Sequence, residues 1–181
     1  MTPYLLDVNL LLALSDPMHI HHESVHRWFS EKGHQAWATC PLTENGFIRI
    51  ASHPNYPNRP GGVTAVLAIL RQFCEAAGHH FWPEDISLLQ ILEPDAIITH
   101  VQITDVYLLG LAFHKRGKLA TLDQRIPVAA VRGGREALEL INRTPQEKDL
   151  EDGGDVSRAI TLVANQGARA PAFTHHKITK A

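Results

Sequence analysis

Short apolar runs alternate along this chain with longer stretches of helical periodicity. Residues 3–6 (PYLL) make a compact apolar run suited to a buried strand, and Asp7 closes it. N-L-L-L-A-L then begins a helix, with Asn9 near its first turn, and Asp16-Pro17 breaks it. Residues 21–32 carry Val25, Trp28 and Phe29 on one helical face, and Gly33 stops the pattern. QAWAT, 35–39, reads as a second strand. Pro41-Leu42-Thr43 leads into a helix over 44–51. Residues 53–62 (HPNYPNRPGG) are a loop, followed by an apolar helix over 63–77 that Gly78 closes. HHFW, 79–82, predicts a third strand, and 86–92 a further helix. D-V-Y-L-L-G-L-A-F-H-K-R forms the clearest helix, with Thr104 as its N-cap, Asp105 at the positive end, and Lys115 and Arg116 at the other. LATL, 119–122, is a strand ended by Asp123, and GGREALELI predicts a turn and a last strand over 138–141. Strands alternating with helices define an α/β domain around a parallel sheet.

Composition bounds this picture. With 181 residues, 44% apolar and 20% charged, the chain suits one globular domain with an appendage. From Thr144 the sequence turns polar and acidic (PQEKDLEDGGD), with AITLVA its one later apolar run. Residues 1–143 are therefore expected to form the domain, and 144–181 a flexible C-terminal extension. A net charge of -2 excludes a basic nucleic-acid coat, so any RNA or DNA would need a local cationic patch or a bound metal. Cys40 and Cys74 lack ligand spacing and are expected as reduced thiols of a cytoplasmic protein. Asp7 interrupts the apolar start, which argues against a signal peptide, and no run approaches the ~20 residues of a membrane span.

One motif suggests zinc. HESVH, 22–26, fits H-E-x-x-H, whose histidines bind the metal while the glutamate acts as base. The long form of that motif requires Gly and His where this chain has Phe29 and Lys32, and Glu44 is the remaining candidate for a third ligand. His22 and His26 share a face with Val25 and Phe29, so packing is the expected role.

Four acids instead mark element junctions. Asp7 ends the first strand, Glu44 opens the helix after the second, Asp105 opens the helix before LATL, and Asp123 ends LATL. With parallel strands and helical crossovers, strand C-termini and helix N-termini share one edge of the sheet, where open α/β proteins place ligands. Taken singly, each acid is an ordinary cap or turn residue. Together they repel, and a hard cation relieves that repulsion. Oxygen ligands without thiolates or paired imidazoles suit Mg2+, with Mn2+ as a substitute.

The ordered set D-V-N, T-E-N, T-D-V-Y-L-L-G-L-A and L-A-T-L-D-Q-R, spread over residues 1–142, resembles PIN domains, above all the VapC-type toxins of bacterial toxin–antitoxin modules. The resemblance implies a three-layer α/β/α fold with a mainly parallel sheet of about five strands. It implies an Mg2+-dependent endoribonuclease, often a homodimer, neutralised by a cognate antitoxin. Asp7 and Asp105 would then be the principal metal ligands. Glu44 and Asp123 would act through waters or a second ion, and Asn9, Thr104 and Thr121 would orient them. Arg49 and Arg125 are the expected RNA contacts, whereas Lys115, Arg116 and Lys118 lie at the far end of their helix. Three rivals remain. One is a binding module that keeps the fold but sequesters antitoxin or nucleic acid. The second is the zinc peptidase. The third is a phosphohydrolase with an aspartate nucleophile, which would want an acid where Asn9 stands.

Overall fold

The computed structural model describes residues 2–141, so the expected extension over 144–181 lies outside the described residues. Five strands form one wholly parallel sheet: β1 (Tyr4–Leu6), β2 (Trp37–Thr39), β3 (His79–Phe81), β4 (Lys118–Thr121) and β5 (Leu138–Leu140). Their order across the sheet is β3-β2-β1-β4-β5. The chain builds outward from β1 to β3, then recrosses and builds outward the other way. The reversal falls between β1 and β4, and a crevice opens at the C-terminal ends of those two strands.

Strand alternation assigns the two faces. Tyr4, Leu6 and Trp37 enter a core with α1 (Val8–Ser15), α2 (His22–Glu31), α3 (Pro41–Ala51) and α4 (Val63–Cys74). Leu5, Ala38 and Leu119 enter a second core with α5 (Leu88–Ile91) and α6 (Ile103–His114). The sheet is therefore the middle of three layers, as the α/β/α expectation had it. Leu5, Leu6 and Leu119 are fully buried, each side chain worth about 1.5–3 kcal/mol on removal from water. A slip of one residue would move these side chains to the wrong core, so the register that fixes the crevice is strongly specified. At Gly46, a Cβ would meet Val8 Cγ2 at 2.6 Å, so this glycine is what lets α3 lie close against α1.

Two element starts differ from expectation. The α3 helix begins at Pro41, a residue whose fixed φ suits a first helical position, rather than at Glu44. Thr104 is not an N-cap. A T-x-x-Q capping box, Thr99 to Gln102, starts a 3-10 turn over His100–Gln102, which runs directly into α6 at Ile103. The helical path is therefore already set one turn before Thr104. Among the described residues, no helix is long and apolar enough to cross a membrane.

Candidate active site

Asp7 stands where β1 gives way to α1. It caps α1, its Oδ1 accepting the Val8 N–H at 2.6 Å, while its backbone N–H continues the ladder to Ala120 O at 3.0 Å. Asp7 and Thr121 project toward the same face of adjacent strands, and the buried Thr121 hydroxyl donates to Asp7 Oδ2 at 2.7 Å. The same Thr121 oxygen accepts the Asp123 N–H at 3.0 Å. One hydroxyl thus ties the first acid to the loop that carries the last. Asp105 comes to this edge from the first turn of α6.

These groups line an open cavity of about 460 Å³, with Asp7, Asp105 and Asp123 joined there by Asn9, Thr104, Arg49 and Arg125. Thr121 lies buried behind Asp7. Glu44 is not part of this lining. Its Oε1 accepts the Thr39 hydroxyl at 2.7 Å. Thr39 alternates with Ala38 and so faces the layer of α3 and α4, opposite to Asp7. His79 Nε2 lies 2.9 Å from the same Thr39 oxygen. The expectation that Glu44 would join the other three acids therefore differs from this arrangement. Glu44 stands about 140° around the helix from Arg49, and of the two only Arg49 lines the cavity. Asn45, one turn before Arg49, takes the place instead and lines the cavity beside Gly46. Its signal was the i, i+4 relation to Arg49, which holds whichever residue starts the helix.

Burial and repulsion shape the electrostatics. Asp105 is pushed up to about 7, first by burial, then by the Asp7 and Asp123 charges, with Arg125 pulling weakly the other way. Asp7 is also held above the usual carboxylate range, by burial above all and by Asp123, against the lowering hydrogen bonds from Thr121 and Val8. Carboxylates raised in this way are destabilised as anions and are relieved by a cation. Among the described residues, no three His, Cys, Asp or Glu side chains stand close enough to form a ready-made ion cage. Mg2+ keeps several waters and takes one or two carboxylates plus substrate oxygens. The donor chemistry therefore fits a hard cation held by Asp7 and Asp105, with Asp123 nearby.

Of the HESVH histidines, His22 is half-buried and packs, whereas His26 is exposed. His22 Nδ1 lies 2.7 Å from Ala13 O and pins α2 to α1, and its ring sits 4.6 Å from that of His26. Cys40 and Cys74 form no disulfide.

No sequence-family model matches the chain. Among curated proteins, Ribonuclease VapC39 of Mycobacterium tuberculosis is 38% identical over 136 residues, covering 74% of this chain and 98% of the relative. Ribonuclease VapC44 of that organism is 38% identical over 131 residues, covering 71% and 92%. Its Ribonuclease VapC38 is 36% identical over 137 residues, covering 76% and 96%. Among solved structures, VapBC2 from Rickettsia felis, bound to a DNA fragment from its promoter, aligns with 77% of this chain and 99% of its own at a TM-score of 0.48 and 13% identity. The chain belongs to the family of VapC ribonucleases.

Proposed function

We propose that this protein is an Mg2+-dependent endoribonuclease of the toxin type, with Mn2+ able to substitute, which hydrolyses RNA phosphodiester bonds. The observation that carries the reading is the convergence of Asp7, Asp105 and Asp123 on one open cavity that also bears Arg49 and Arg125. Kinship with proteins named as ribonucleases supports the choice of RNA. Asp7 and Asp105 would hold the ion. When bound, it supplies positive charge that acidifies a water and neutralises the leaving oxygen.

The chain's own groups do the rest. Thr121 and the Val8 N–H fix the orientation of both Asp7 oxygens. Arg49 and Arg125 supply the positive charge that an RNA backbone needs beside an acidic cavity. Asp105, raised toward neutrality by burial and by the Asp7 and Asp123 charges, would give up that proton to hold the ion. Restraint by a cognate antitoxin, a homodimeric state and a cytoplasmic location belong to the same reading and rest on the family.

The experiment is cleavage of a total-RNA preparation by the full chain with Mg2+, Mn2+ or EDTA, and by Asp7→Asn. Cleavage that needs the ion and is lost in the variant supports the reading. Equal cleavage in EDTA would remove the metal mechanism. Intact RNA throughout would favour a protein that binds without cutting.

A further inference from the structure

Asp123 differs from the other two acids in having a cation of its own. Arg125, two residues on, approaches it side-on, with Nε 3.1 Å from Oδ1 and Nη2 3.3 Å from Oδ2. The Arg125 backbone N–H donates to the same Oδ1 at 2.8 Å. Both carboxylate oxygens are thus engaged by a planar fork whose geometry matches theirs. Asp7, by contrast, takes neutral donors, the Thr121 hydroxyl and the Val8 N–H. The Arg125 carbonyl accepts from Gln102 Nε2 at 3.4 Å, tethering this turn to the segment that leads into Asp105. The Arg125 side chain is 80% exposed and that of Asp123 is 21% exposed. The guanidinium can therefore swing into solvent while the carboxylate stays in the cavity, and an ion pair open to water on one side is exchanged at little cost.

We propose that Arg125 is an internal counter-cation that competes with a divalent ion for Asp123 and so sets the affinity of the cavity for that ion. The inference rests on the cation-site reading given above. While Arg125 holds Asp123, both oxygens of that carboxylate are occupied and its charge is only partly offset, so it still repels Asp7 and Asp105. When the guanidinium turns to a phosphate of bound RNA, Asp123 becomes available to the ion. One guanidinium cannot fork onto both partners, so RNA binding and ion binding reinforce each other. Arg125 is a positioning residue in this scheme, because it acts through Asp123.

The test is calorimetric titration of Mn2+ into the full chain without RNA. The proteins are the wild type, Arg125→Gln, Asp123→Asn and the double variant. Arg125→Gln should bind Mn2+ about two- to fivefold more tightly, the scale of an exposed ion pair. The gain should vanish when Asp123 is already asparagine, as a double-mutant cycle reports for a specific pair. Unchanged or weaker binding by Arg125→Gln overturns the proposal and leaves Arg125 a turn residue only. A gain that persists in the Asp123→Asn background also overturns it, since a general field would then be the cause. If the wild type takes up no Mn2+, the cation-site reading falls and the proposal with it. Arg125→Lys, which keeps the charge but loses the fork, should show a smaller gain and stands in if the glutamine variant does not fold.

Discussion

Asp105→Asn should stabilise the protein while inactivating it. The Asp105 carboxyl is raised from the ordinary 3.8 to about 7. At about 1.4 kcal/mol for each tenfold change in acidity, its ionised form carries a penalty in the fold of at most roughly 4 kcal/mol. Solvent reaches part of the carboxyl and screens it, so about 1–2 kcal/mol is the working expectation. Between pH 3.8 and 7 the folded state keeps a proton that the unfolded state has lost. Wild-type stability therefore falls as pH rises through that window and levels off above it. An asparagine has no such proton and resembles the neutral acid in shape. In EDTA, urea unfolding should show the variant ahead by an amount that grows from pH 4.5 to pH 8. At pH 8 the melting temperature should be about 3–8 °C higher. Added Mg2+ should close the gap by stabilising the wild type alone. A variant that is less stable at pH 8, or a gap independent of pH, would refute the reasoning.

The other substitutions separate the cavity from its surroundings. Glu44→Gln disturbs the Glu44–Thr39–His79 chain. It should lower stability by about 1 kcal/mol and leave Mn2+ affinity within about twofold, as thermal melts and calorimetry would read. A loss of Mn2+ affinity matching that of Asp7→Asn would return Glu44 to the site. Thr121→Val strands the Asp123 N–H and one Asp7 oxygen. It should cost about 1–3 kcal/mol in urea unfolding and weaken Mn2+ binding, whereas unchanged binding would show that Asp7 needs no such anchor. Gly46→Ala sets a methyl group 2.6 Å from Val8 Cγ2. It should destabilise by about 1–3 kcal/mol, and a neutral result would mean that α3 shifts freely against α1.

Much of this architecture was legible because the informative residues sit at boundaries. Asp7 follows an apolar run too short for a helix, and Asp123 follows another, so both fall at strand ends by pattern alone. Parallel topology then brings Asp105 to the same edge. What escaped was angular detail on helices. Starting α3 at Glu44 rather than Pro41 set Glu44 at the sheet edge itself, whereas it is the fourth residue of the helix, and Asn45 and Arg49 are the residues of α3 that share the cavity face. Thr104 looked like a cap because a Thr before an acid is a sound local signal. The competing Thr99–Gln102 box prevailed because it satisfies donors at the true start of the helical run. The fork between Arg125 and Asp123 depends on the turn after β4, and spacing alone does not determine how such a turn aims its side chains.

The proposed hard cation would sit in the crevice between β1 and β4, on Asp7 and Asp105. A crystal of the full chain soaked in Mn2+, with its anomalous difference map, tests this directly. The expected result is a peak in direct contact with the Asp7 and Asp105 carboxylates, absent in Asp7→Asn. A peak beside Glu44 and His79 instead, or an empty crevice at saturating Mn2+, would contradict it.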